Sequence, residues 1–176
     1  MLVESERSAP VVVVVGNPSP GSRTLSAASM LGDRLASLLS VDSSPVVIDV
    51  ADLGPALMGW GDPTVAAATQ VVRSARALVV ASPTYKASFT GLLKLFLDQF
   101  DQDELGGVPT VPMMTGGGPA HSLAVEVHLR PVLIEIGASC PTRGLYIHGD
   151  AINDPAPVIE AWASASAAIL RRLAGS

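Results

Sequence analysis

The sequence has one cysteine and two lysines, and aromatic side chains make up only 4% of its 176 residues. Cys140 has no partner for an internal disulfide, which excludes a disulfide-stapled scaffold and points to a reducing, cytoplasmic compartment. Charge is scarce too. Charged residues amount to 15%, and sixteen acidic against eleven basic side chains leave a net charge of −5. With 48% hydrophobic residues, that balance excludes a disordered chain. An acidic surface also argues against wrapping nucleic acid or an anionic membrane. A long apolar run is missing: the longest charge-free stretch, 105–125, is interrupted by Gly106, Gly107, Pro109, Pro112, Gly116, Gly117, Gly118 and Pro119. No segment approaches the ~20 apolar residues of a spanning helix. Residues 1–10 lack a basic start followed by an apolar core, so they read as a flexible N-terminal tail, not a signal peptide. Residues 11–176 are expected to form a single domain.

What is present is a set of short β-branched runs. Five consecutive valines at 11–15 end at Gly16, and similar runs lie at 46–50 and 77–81. Continuous apolar runs without polar alternation are typical of parallel strands covered on both faces. A fourth run, 108–114, carries Pro109 and Pro112, which belong near a strand start or at irregular pairing. A weaker fifth lies at 144–148. Helical patterns occupy 23–39, 64–75, 89–100, 121–136 and 156–173. Asp62 followed by Pro63 is a start signal for the second. Ser88 is positioned to cap the third, where Phe89, Leu92, Leu93, Phe96, Leu97 and Phe100 share one face. Pro131 is expected to end or kink the fourth. Strand and helix alternate five times, which predicts an α/β three-layer sandwich with right-handed crossovers. Five parallel strands suit the flavodoxin-like order 2-1-3-4-5.

In such a sheet, ligands bind beyond the carboxyl ends of the strands, and three loops there are unusual. The first runs from Gly16 and Asn17 to Ser22, Arg23 and Thr24. Small residues, hydroxyls, a helix N-terminus and a cation suit a phosphate; the alternative is an ordinary turn whose Ser and Thr only cap the helix. It matches neither G-x-x-x-x-G-K-[ST], because Ser22-Arg23 follows Gly21 where lysine and a hydroxyl residue should stand, nor G-x-G-x-x-G, because Pro18 replaces the second glycine. The second loop, Pro83, Thr84, Tyr85 and Lys86, sets an aromatic ring and a cation at the end of strand three. Tyr85 could lie against a planar ring or pack on its own helix. The third, Thr115, Gly116, Gly117 and Gly118, exposes backbone N–H groups without side-chain obstruction; a flexible surface loop is the alternative. Together they describe a cleft for a flat, phosphorylated ligand. Cys140, before Pro141 and without a histidine at useful spacing, reads as a small buried thiol. His121 and His148 are too scattered for a metal site.

These residues carry a resemblance. The loop of Gly16, Asn17, Ser22, Arg23 and Thr24, the block P-x-Y-K-x-S-x-x-G-x-L-K at 83–94, and the stretch from Thr115 to His121 resemble the NADPH-dependent FMN reductase family. The stretch 120–133 is similar to the reductases of two-component alkanesulfonate monooxygenase systems. The resemblance implies an NAD(P)H:FMN oxidoreductase that takes NADPH or NADH, transfers hydride to FMN and supplies reduced flavin to a partner flavin-dependent monooxygenase. Ser22, Arg23 and Thr24 would hold the phosphate, Pro83, Thr84, Tyr85 and Lys86 the ring edge, and Thr115 to Gly118 the pyrimidine end. Asn17 stands where the family often has serine. The flavin reacts itself, so no catalytic acid or base and no metal is expected. Two alternatives remain: an FMN-prosthetic quinone or azo reductase, and a non-enzymatic flavodoxin-like electron carrier. The family forms homodimers and homotetramers, and Leu95, outside the main apolar face, suggests a second buried surface. His128 reads as an ordinary surface or interface histidine.

Overall fold

A computed structural model describes residues 9–174; of the expected N-terminal tail, 1–8 lie outside the described residues. The strands are β1 (Val11–Val15), β2 (Val46–Asp49), β3 (Ala77–Pro83), β4 (Thr110–Gly116) and β5 (Leu145–His148). All neighbours pair in parallel, in the order β2-β1-β3-β4-β5. The helices are α1 (Arg23–Leu38), α2 (Pro63–Arg73), α3 (Gly91–Leu97), α4 (Arg130–Glu135) and α5 (Ala156–Ala174).

The five valines of β1 are completely or almost completely buried, and they alternate between two cores. Val12 and Val14 join Leu78, Val80 and Met114 beneath α2, α3 and α4. Val11, Val13 and Val15 join Ala77, Val79, Met113 and Ile147 beneath α1 and α5. Each such burial is worth roughly 1.5–3 kcal/mol, and β1 contributes to both layers, so this interior strand ties the sandwich together. Gly32 brings α1 close to β1, because a Cβ there would stand 2.5 Å from Cγ2 of Val13.

The structure corrects several expectations. The run at 46–50 is not doubly covered: β2 is an edge strand, with Val46 39% and Val47 43% exposed, and Val50 already opens a 3-10 helix, Val50–Met58. β4 starts at Thr110 and extends to Gly116, leaving Pro109 before it. Pro112 is interior, but the β4–β5 ladder begins one residue later with Met113 opposite Leu145. Its missing donor therefore falls where pairing has yet to start. The segment 121–136 is not one helix. A 3-10 turn at Pro119–His121 and a π-helical turn at Val125–Leu129 precede α4. Pro131 does not end the helical run: the π-helical turn passes directly into α4, and the proline stands just where the wider turn gives way to α-helix. Ser88 does not cap α3. Thr90 does, accepting from the Leu93 amide at 3.1 Å, and Phe89 lies before the helix. Leu95 packs against the chain's own core together with Leu92. Among the described residues, no helix is long and apolar enough to cross a membrane.

Candidate functional site

The three loops meet at the carboxyl edge of β1, β3 and β4, and threonines join them. Thr24, at the start of α1, shares a 2.8 Å hydroxyl–hydroxyl bond with Thr115 at the end of β4. The carbonyl of Thr115 accepts from the Thr84 amide at 2.7 Å. Thr24 and Thr115 are buried, so this line is the floor of the site.

Loop one is shaped from inside. The buried Asn17 accepts from the Ser19 amide at 3.0 Å and donates from Nδ2 to Thr24 Oγ1 at 3.4 Å. Such an Asx turn stiffens a short loop. Gly21 has φ +63°, left-handed backbone that glycine adopts without steric cost. Ser22 caps α1 by accepting from the Leu25 amide at 3.1 Å. The amides of Arg23 and Thr24, first in the helix, have no intrahelical acceptor, and they carry the positive end of a sixteen-residue helix. Arg23 is exposed and donates to Asn153 Oδ1 at 3.0 Å. The anion-binding capacity of this loop thus lies in its amides, the Ser22 hydroxyl and the Arg23 guanidinium. The Asn17 and Thr24 side chains build the loop.

Loop two begins with Ser82, fully buried, which accepts from the Thr90 amide at 3.0 Å and donates to the Pro83 carbonyl at 2.8 Å. Pro83 is buried behind it. Thr90 in turn donates to the Gly16 carbonyl at 2.6 Å, locking loop two to loop one. Tyr85 and Ser88 exchange backbone bonds of 2.8 and 3.1 Å around Lys86 (φ +51°) and Ala87 (φ +66°). Two consecutive non-glycine residues in left-handed conformation cost about 1–2 kcal/mol each. This strained hairpin holds Tyr85 half exposed and Lys86 in solvent. Lys94 points elsewhere: it lies within α3 and pairs with Asp98.

Loop three behaves as two parts. Gly117 and Gly118 have nothing within 4 Å of a Cβ position, so a ligand can approach their backbone. Gly116 is different, because Tyr146 already fills its Cβ space. Beside it, Thr84 Oγ1 is buried without a hydrogen-bond partner among the described residues. An orphaned hydroxyl costs about 1–3 kcal/mol unless a ligand or water completes it. These residues fit a phosphorylated, flat guest: donors for an anion at one end, and an aromatic, an unsatisfied hydroxyl and open glycine backbone at the other.

Sequence reasoning missed Asn153, which meets Arg23 from the far end of the chain, and Tyr146, which touches the glycine loop. Neither has a local signal, because both depend on where β5 pairs. A cleft of about 540 Å³ also runs beside β5, lined by Glu126, Thr142, Arg143, Tyr146, Trp162 and Ser166 among others, and none of the twelve expected site residues lines it. Burial pushes the Cys140 thiol up, away from thiolate chemistry. His128 is exposed on the π-helical turn.

Sheet order defines a flavodoxin-like protein, with the three loops gathered at the carboxyl edge. An archaeal flavodoxin shares that fold at 14% identity, with a TM-score of 0.58 over 95% of this chain and 99% of its own. The chain belongs to the NADPH-dependent FMN reductase family, which it matches over residues 9–151. It is 35% identical over 148 residues to the NADH-dependent FMN reductase SfnF of Pseudomonas putida, covering 81% of this chain and 79% of that protein. To an NADPH-type FMN reductase of Pseudomonas aeruginosa it is 34% identical over 139 residues, 77% of this chain and 75% of the relative. A solved apo NADH:FMN oxidoreductase superposes with a TM-score of 0.73 at 31% identity, covering 90% of both chains.

Proposed function

We propose that this chain is an NAD(P)H:FMN oxidoreductase that passes hydride from a nicotinamide to FMN and supplies reduced flavin to a partner monooxygenase. The observation that carries the reading is that the family match, 9–151, runs through all three carboxyl-edge loops. Bound FMN supplies its own hydride acceptor, so the protein contributes binding, orientation and electrostatics.

Ser22, Arg23 and the first amides of α1 would hold the phosphate, with Asn17 and Thr24 fixing the loop that presents them. Tyr85 and the Pro83–Thr84 backbone would bound the ring, and Lys86 would add a cation at the rim. Thr115, Gly116, Gly117 and Gly118 would supply the floor and the open backbone at the other end. Preformed donors aimed at developing negative charge need no reorganisation during transfer, which is where such a site lowers the barrier. The similarity of 120–133 to reductases of alkanesulfonate systems supports the monooxygenase partner. The family's habit supports a homo-oligomer, and the lone cysteine supports a cytoplasmic setting. Residues 11–176 are proposed as one FMN-binding domain.

Oxidation of NADPH and of NADH is to be followed with FMN, FAD and riboflavin in excess. The expected result is steady turnover with FMN preferred over riboflavin. Absence of oxidation with either nicotinamide would overturn the reading.

A further inference from the structure

Tyr146 lies on β5 opposite Met114 of β4, and its hydroxyl leaves that strand to reach the glycine loop. Its Oη donates to the Gly118 carbonyl at 3.2 Å. The same oxygen stands 2.0 Å, and Cζ 2.9 Å, from where a Cβ on Gly116 would be, with Thr84 Oγ1 at 3.4 Å from that point. The His148 ring packs on the tyrosine, with centroids 5.9 Å apart. One phenol therefore reaches across the loop from its first glycine to its last.

We propose that Tyr146 is a positioning residue for flavin binding. It pins Gly116 to Gly118 in the receptive shape, and Gly116 is glycine because no side chain can share its space with the phenol. This rests on the reading of the loop as the ring-side FMN contact. Glycine backbone is the freest in a protein, so an unpinned run would lose most of its freedom on binding. A ring with two side-chain torsions, anchored in a strand, removes that freedom before the ligand arrives. Without the hydroxyl, only part of the population presents the receptive loop, and apparent affinity falls by that fraction.

The test compares wild type, Tyr146→Phe, Gly116→Ala and Arg23→Gln. Amide hydrogen exchange of 115–118 in the ligand-free protein is measured first, followed by the dissociation constants of FMN and riboflavin. Tyr146→Phe is expected to speed exchange in that segment alone and to weaken both flavins about fivefold. Their ratio should stay unchanged, because Tyr146 serves the ring end and not the phosphate. Gly116→Ala, which must displace the phenol, should move the same readouts in the same direction. Arg23→Gln should instead weaken FMN and spare riboflavin. Unchanged exchange with unchanged affinity in Tyr146→Phe would overturn the proposal, as would faster exchange spread over the whole sheet. A wild type that binds neither flavin overturns the flavin reading and this proposal with it; binding by wild type equalled by Tyr146→Phe overturns the proposal alone.

Discussion

At Gly16 a single added carbon would stand 2.3 Å from Cβ and 2.8 Å from Cα of Leu93. The obstacle is helix backbone and the root of a side chain, so relief requires α3 to move away from β1. Overpacking of that kind costs about 1–3 kcal/mol, and Gly16→Ala is expected near the upper end because Thr90 also binds the Gly16 carbonyl. The urea midpoint should fall with the slope unchanged; an unmoved midpoint would contradict the packing. Gly117→Ala is the control, since that position has open space. Ala87 offers the opposite case. Its φ of +66° costs an L-residue ~1–2 kcal/mol, whereas glycine adds only ~0.5–1 kcal/mol of chain entropy. Ala87→Gly should therefore stabilise by about 0.5 kcal/mol in the same titration, and any destabilisation would show that the hairpin is unstrained.

The π-helical turn and α4 are held as a unit by Glu126 and Arg130. The guanidinium donates to Glu126 and to the carbonyls of Cys140 and Thr142, both at 2.7 Å, while Glu126 accepts from the Gly144 amide at 2.7 Å. The hydrogen bond from Arg130 holds the Glu126 carboxyl below its ordinary value of 4.5 against the opposing effect of burial. A depressed carboxylate contributes stability that is fully present above the unfolded value and lost as pH falls through the lower folded one. Glu126→Gln should cost about 2 kcal/mol near pH 7, and the gap to wild type should narrow only below about pH 4.5. Urea titrations at several pH values check this; a gap constant into strong acid would refute it. The same element explains what the sequence could reveal. β1, α1 and α2 were legible because their signals are local: a valine run, and Asp62 accepting from Thr64 and Val65 ahead of Pro63. The three loops were legible because their odd composition follows immediately on strands. The π-helical turn was not, since its stabilising partners lie ten to eighteen residues ahead. Nor was the exposure of β2, because an edge strand and a central one can carry the same valines, and only the sheet order separates them. Tyr146 escaped notice for that reason as well: its meaning depends on the register of β5 against β4.

For the whole molecule, the decisive feature is that the interior strands each serve two cores. Alternate valines of β1 enter opposite layers, so neither layer can lose its helices without exposing the strand shared with the other. The proposed domain 11–176 should then unfold in one cooperative transition. The proposed ligand shelf is built on β1, β3 and β4, the three interior strands of the sheet. A ligand bound there stabilises the entire unit by RT ln(1 + [L]/Kd), about 2.7 kcal/mol at a hundredfold excess over Kd. For a chain of this length each kcal/mol raises the melting temperature by roughly 2–4 °C, so saturating FMN should shift it by roughly 5–11 °C. Riboflavin at the same concentration should shift it less, because the amides of α1 and Arg23 would have no phosphate to hold. In Arg23→Gln the two shifts should converge. A thermal melt followed by far-ultraviolet dichroism measures all three without any nicotinamide, so binding is tested apart from turnover. Two transitions, with FMN moving only one, would contradict the single cooperative unit. Equal shifts from FMN and riboflavin in the wild type would remove the phosphate from the first loop while leaving the ring side of the site intact.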